Sequence, residues 1–285
     1  MRRNAGRAVS MTNRVLLFYH SASGNTHWVA EAIAAALADR GIEAELRSIA
    51  ARHDTADLDS YDLVGFGCPV MGFRPSFALN RFIRSLPVQP HLPAFIFTTH
   101  AGVLANAPWM LAACLRDRGF AVMAHKHFRG EISWPLARSA GLIINRGLPD
   151  DRLLPSISAF AGNLAELAAR HRSGSPVRSI PVSRSWLNPF YYLSLINSPA
   201  KLRMMMGTKR VIITRCTKCG LCAEHCAPGA IALSPYPTFG SNCDGCWGCY
   251  NICPAAAIAT RIGTRGRYYN QKCAPAIYSR HGAGQ

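Results

Sequence analysis

The sequence predicts two folded units in one chain: a doubly wound α/β domain on a parallel sheet, then a small α+β domain. Three observations carry this. Strand-length apolar runs alternate with segments of helical periodicity over about the first 170 residues, the pattern of βα units. Each legible strand runs into a loop rich in Gly, Ser, Thr or Pro. Eight of the eleven cysteines then fall between positions 216 and 253, after the alternation has ended.

Arg14 to Tyr19 is the first strand, and it enters Ser21-Ala22-Ser23-Gly24-Asn25-Thr26 before a helix with Val29, Ile33 and Leu37 four residues apart. A strand, a hydroxyl-rich glycine loop and a helix make a phosphate cradle. Backbone N–H groups and the positive end of the helix dipole face the anion, and Ser21, Ser23 and Thr26 add hydroxyl donors. No lysine follows the glycine, and no G-x-G-x-x-G is present, so neither the nucleoside-triphosphate loop nor the dinucleotide fingerprint applies.

Leu63 to Phe66 reads as a buried strand leading into Gly67-Cys68-Pro69-Val70-Met71-Gly72-Phe73-Arg74-Pro75. Ala94 to Phe97 reads as another, leading into Thr98-Thr99-His100-Ala101-Gly102. In a doubly wound sheet such loops surround the topological switch point, where ligands bind. Helices follow at about 108–118 and 153–172, with a strand at Ala121 to Phe128 between them. The second helix places Ile157, Phe160, Leu164 and Leu167 on one face. Cys68 and Cys114 read as small buried residues.

Ser173-Gly174-Ser175-Pro176 breaks the helical pattern and opens a connector over 173–207. Its aromatic and aliphatic residues (Trp186, Phe190 to Leu193, Leu195, Ile196) stand beside Lys201, Arg203, Lys209 and Arg210. Two readings stay open for 184–210: a helix packed on the first domain, with Met204, Met205 and Met206 filling gaps, or peripheral contact with a membrane surface.

Cys216, Cys219, Cys222 and Cys226 are spaced C-x2-C-x2-C-x3-C, and Cys243, Cys246, Cys249 and Cys253 repeat the run 27 residues later. This is iron–sulfur spacing. Three cysteines wrap one 4Fe-4S cluster and the fourth reaches the other, so Cys216, Cys219, Cys222 and Cys253 form one set and Cys243, Cys246, Cys249 and Cys226 the second. Structural zinc uses C-x2-C hooks separated by longer gaps, and cysteines two residues apart make poor disulfides. Ala230-Ile231 recurs as Ala257-Ile258, so the repeat extends into a shared core.

Over about residues 208 to 262 the chain resembles the bacterial-type two-cluster ferredoxins. It departs from them where Ala227 follows Cys226 and the proline waits until Pro228. Residues 13 to 170 resemble flavodoxins through the S/T-x-S/T-G-N-T loop and the two later loops. That resemblance implies a five-stranded sheet of order 2-1-3-4-5 and one FMN. The phosphate would sit on Ser21 to Thr26, with Pro69 to Phe73 and Thr98 to Gly102 flanking the flavin, Met71 or Phe73 packing on its ring and His100 at its edge. Together the two parts resemble the flavodoxin–ferredoxin fusions called EFR1-family ferredoxins, and Gly266 to Asn270 is similar to that family's basic, aromatic ending. The implied division is an N-terminal segment without order at 1–12, a flavodoxin-like domain at 13–172, the connector at 173–207, a ferredoxin-like domain at 208–270 and a tail at 271–285.

The implied function is electron transfer, with FMN and two 4Fe-4S clusters linking two-electron and one-electron partners. The alternative is an FMN-dependent reductase with its own small substrate, fed through the clusters. No catalytic residue is indicated.

The chain carries 32 Lys and Arg against 15 Asp and Glu, a formal charge of +17. Two clusters and a flavin phosphate, each about −2, leave about +11. Such a balance predicts an acidic redox partner or an anionic surface. Nucleic acid is not expected, because the arginines are dispersed and no binding motif occurs. No run of 18 apolar residues exists to span a membrane. Arg2, Arg3 and Arg7 precede an apolar run too short for a signal-peptide core, so a cytoplasmic protein, membrane-peripheral if the connector touches lipid, is expected. Met1 and Met11 both stand as candidate starts.

Overall fold

The structure is a computed structural model and describes residues 13–50, 58–176, 178–262 and 267–273. The expected N-terminal segment 1–12, Val177, Gly266 and most of the tail lie outside the described residues. The first unit runs β1 (Arg14–Tyr19), α1 (Asn25–Ala38), β2 (Glu43–Ser48), β3 (Leu63–Met71), β4 (Arg74–Pro75), α2 (Phe77–Ser85), β5 (Pro93–His100), α3 (Ala107–Arg116), β6 (Ala121–Arg129), α4 (Pro135–Ser139) and α5 (Leu154–Arg172).

Five parallel strands pair in the order β2-β1-β3-β5-β6, and two-residue β4 turns back antiparallel on the end of β3. This is the flavodoxin-like α/β fold. The chain reverses its direction of growth between β1 and β3, so the crevice beyond their C-terminal ends is the switch point. Alternation along β1 builds both layers: Leu16 and Phe18 face the core that holds Leu79, Leu111 and Leu115, while Val15 and Leu17 face the one that holds Ile33, Ile157 and Leu164.

Gly65 and Gly67 on β3 make room for the aromatics of β5. A Cβ on Gly67 would lie 2.0 Å from the Phe97 ring, and one on Gly65 2.3 Å from that of Phe95. Both strands extend past their expected ends, so Gly67 to Met71 and Thr98 to His100 belong to strands rather than loops. Parallel pairing of Cys68 with Thr98 and Pro69 with Thr99 accounts for this.

The connector forms α6 (Pro189–Ile196) and α7 (Pro199–Met206), each with proline at its start and a side-chain cap, from Asn188 and Ser198. Tyr191, Ser194 and Met206 are buried, and Arg184 stacks on Trp109, Trp186 and Tyr191. The expectation that three methionines fill gaps needs correction. Met206 alone does so, while Met204 is 74% and Met205 50% exposed.

The second unit contains β7 (Arg210–Val211), α8 (Leu221–Glu224), β8 (Ile231–Leu233), β9 (Pro237–Phe239), α9 (Gly248–Ile252) and β10 (Ile258–Ala259). β7 pairs with β10 and β8 with β9, both antiparallel. The sequence repeat is also a backbone repeat. Positive φ occurs at Lys218 and Gly245, at Gly220 and Trp247, and at Gly229 and Ala256, each pair 27 residues apart. Two copies of one turn geometry therefore hold the two cysteine runs. The shifted proline after Cys226 leaves that geometry in place, since Gly229 takes φ 61° where Ala256 takes 50°.

Candidate functional site

Cys216, Cys219, Cys222 and Cys253 line one cavity together with Lys218, Gly220, Leu233 and Ile258. Cys243, Cys246 and Cys226 likewise act electrostatically on one another and on Cys249. The fourth cysteine of each run accepts an N–H from four residues on. Cys226 accepts the Ala230 N–H at 3.2 Å, and Cys253 accepts the Ala257 N–H at 3.3 Å. Gly245 and Gly248 donate to Cys243 and Cys246 at 3.3 and 3.5 Å.

Burial pushes the Cys222 thiol up to about 11 and the Cys246 thiol up to about 12. Free thiolates are thus disfavoured until a cation offsets their charge. Within the described residues, none of the eight sulfurs joins a group of three ligand atoms within 4.8 Å of one another. Two four-cysteine sets with backbone N–H groups on their sulfurs are a donor set of the iron–sulfur kind. The residues present therefore fit two 4Fe-4S clusters.

Three cations sit beside the cysteines. Lys209 donates to Cys243 Sγ at 2.7 Å. Burial opposes its charge, yet Cys249, Cys243 and Cys246 hold its pKa above the usual lysine range. Arg203 donates to the Cys243 carbonyl at 2.7 Å. Arg267 lies over the Tyr250 ring and bonds the carbonyls of Tyr250, Ala256 and Ile258. None of the three was legible as a cluster neighbour from spacing alone.

Ala22, Ser23, Gly24, Asn25 and Thr26 are buried, and Ser21 is half-buried. Gly24 caps α1 at φ 82°, and no acidic residue stands in the first turn. Ser21 Oγ accepts the His27 N–H at 3.2 Å, and the Thr26 and Thr99 hydroxyls meet at 2.7 Å. The backbone N–H groups of Ala22 to Thr26 find no acceptor among the described residues. Buried donors without acceptors are costly, and an anion satisfies several at once. Asn270 Nδ2 is a further buried donor without a partner, on a residue whose backbone N–H donates to Ser23 O at 2.8 Å. The loop therefore fits a phosphate.

Thr98 and Thr99 are buried, and Thr98 Oγ1 lies 2.9 Å from His127 Nδ1. His100 is half-buried rather than solvated. Its Nδ1 is enclosed without a partner, and burial holds its pKa below the usual histidine range. Ala101 is held through Asn145, which donates to its carbonyl at 2.7 Å, and Gly102 is exposed. Pro69, Val70 and Met71 end β3 half-buried. Phe73 turns to Phe190 of α6 with ring centres 4.7 Å apart. Gly72 lies against Asn197, which donates to its carbonyl at 2.8 Å. The connector thus seats the second loop, a role the sequence did not signal.

The cysteine turns meet the phosphate loop directly. A Cβ on Gly248 would lie 3.7 Å from Ala22 Cα. Residues 268–273 close over the same loop: Tyr268 O–H reaches Asn25 Oδ1 at 3.0 Å, and a Cβ on Gly24 would lie 3.0 Å from Asn270 Cβ. This segment belongs to the site, and only its aromatic and basic composition hinted at it.

A model of the flavodoxin domain matches residues 16–117. Among solved structures, a flavodoxin from the domain Archaea is 17% identical, with 55% of this chain and 99% of that chain covered and a TM-score of 0.43. Oxidised flavodoxin 1 from Bacillus cereus is 17% identical over 54% of this chain and 98% of its own, at 0.39. Rubredoxin oxygen:oxidoreductase from the anaerobe Desulfovibrio gigas is 17% identical over 57% of this chain and 37% of its own, at 0.42. No curated protein matches. The fold rests on the strand order of the chain itself.

Proposed function

We propose that the protein is an electron-transfer flavo-iron–sulfur protein that holds one FMN and two 4Fe-4S clusters and relays electrons between them and a redox partner. The observation that carries the reading is the contact of the second cysteine run with the anion-ready loop, Gly248 against Ala22. FMN supplies one- or two-electron exchange and each cluster one-electron exchange, so the set links partners of both kinds. Lys209 and the backbone N–H groups at Cys243, Cys246, Cys226 and Cys253 would stabilise negative charge on the sulfurs. Ser21 to Thr26 would bind the phosphate through neutral donors, and His100 would offer its enclosed Nδ1 to the flavin edge. The flavodoxin-domain match supports the FMN half, and the duplicated turns support the clusters.

A carrier is favoured over a reductase with its own substrate, because the cavity at Cys216 to Cys253 opens beside Lys218 while His100 is the lone acid–base candidate in the flavin loops. The partner would be acidic, given the charge of +17. No helix among the described residues is long and apolar enough to cross a membrane. The exposed row of Trp186, Leu187, Leu195 and Ile196 would rest on an anionic membrane surface. Stopped-flow reduction tests the relay. Electrons from reduced ferredoxin-type donors should bleach cluster absorbance first and the flavin afterwards without added substrate. Flavin that stays oxidised while the clusters reduce would overturn the relay, and turnover of a small substrate at rates matching flavin oxidation would favour the reductase.

A further inference from the structure

Cys273 belongs to neither cysteine run, yet it is buried, 1% exposed, against the first turn of α1. There it meets His27 and Glu31, one helical turn apart. A ligand atom from each of the three residues lies within 4.8 Å of the other two. We propose that His27, Glu31 and Cys273 form a mononuclear zinc site, separate from the eight cysteines, that pins the C-terminal segment to the helix behind the phosphate loop.

Three features make the site more than a chance cluster. The i,i+4 spacing puts His27 and Glu31 on one helical face, with Nε2 and Oε1 3.3 Å apart. Tyr19 stacks on the His27 ring at 5.1 Å and 5° between planes, which fixes the imidazole. His27 is half-buried and the Glu31 side chain 44% exposed, so an ion has an entry path and a place for a water as fourth ligand.

The donor set selects the ion. One thiolate, one imidazole and one carboxylate suit zinc, whereas calcium and magnesium take oxygen alone. Binding displaces the thiol proton to solvent, and the ion's two positive charges balance one thiolate and one carboxylate. Without metal the thiol instead donates to Gly24 O at 3.2 Å, the competing arrangement for this residue.

The consequence is mechanical. Cys273 is three residues from Asn270, whose N–H holds Ser23, and next to Lys272, which lies over Trp28. Zinc would fasten this segment as a clasp over the loop. The proposal goes beyond the electron-transfer function and stands without it.

The test uses the full chain purified anaerobically with its clusters, exchanged against zinc and gel-filtered. One zinc per chain is expected, and zinc K-edge EXAFS should show one sulfur at about 2.3 Å and nitrogen or oxygen at about 2.0–2.1 Å. His27→Gln and Cys273→Ser should retain none at unchanged iron content, and Glu31→Gln should weaken retention against a chelator by about tenfold or more. No zinc in the wild type, equal zinc in the His27 and Cys273 variants, or three or more sulfurs around the zinc would each overturn the proposal. The last result would place zinc in the cysteine runs and so would count against the clusters separately.

Discussion

Arg81 on α2 and Asp244 between Cys243 and Cys246 form a two-bonded ion pair at 2.9 and 2.8 Å, with Asp244 1% exposed. It is one of several ties across the two units. Asn251 donates to Ser133 O, and Tyr268 bonds Asn25. The cysteine turns are therefore fixed on the end of the sheet where the two loops converge.

Arg81→Met should strand a buried carboxylate. Arg81 is half exposed, so the cost falls below that of a fully buried pair, at about 2–3 kcal/mol. A fall in Tm of about 5–10 °C follows. Arg81→Met with Asp244→Leu should recover much of it, since no charge is then left unpaired. A double variant no more stable than the single would show that the pair matters through something other than charge burial.

Thr26→Glu should expel the flavin by setting a carboxylate against its phosphate. Thr26→Val, which removes the bond to Thr99, should weaken binding by about tenfold, the equivalent of one hydrogen bond. Fluorescence titration of FMN reads both. Full occupancy in the glutamate variant would place the phosphate elsewhere.

Lys209→Gln should make the second cluster harder to reduce, because the N–H donor at Cys243 Sγ loses its charge. A loss of about 1.4 kcal/mol corresponds to roughly 60 mV for one electron. An EPR-monitored redox titration should show the shift in one cluster only. An unchanged potential would leave Lys209 as a structural contact.

Surface contact should depend on other residues. Of Lys201, Arg203, Lys209 and Arg210, Lys209 and Arg203 face the cysteines, and Lys201 and Arg210 are exposed. Lys201→Gln with Arg210→Gln should slow association with an acidic partner and flatten its salt dependence. Leu195→Ser with Ile196→Ser should abolish sedimentation with anionic vesicles while leaving that association rate unchanged. Sedimentation equal to wild type would make the apolar row a face without a lipid role.

Much of this arrangement was legible because it is local. The cysteine spacing and its repeat specify turn geometry directly, and Ser21 to Thr26 read as a helix-capping anion loop from six consecutive residues. What escaped was long-range. Lys209 reaches Cys243 across 34 residues, Phe73 turns to Phe190, and Asn270 and Cys273 return to a loop almost 250 positions earlier. No periodicity or spacing encodes such pairings. A short helix such as α7, with one buried position, Met206, carries too little pattern to say which of three neighbouring methionines faces inward.

A chain that carries both kinds of redox group should yield, on cofactor analysis of anaerobically purified protein, about eight irons, about eight acid-labile sulfides and one non-covalent FMN per chain. Iron at four or fewer per chain, or protein that binds no FMN when it is supplied, would contradict it.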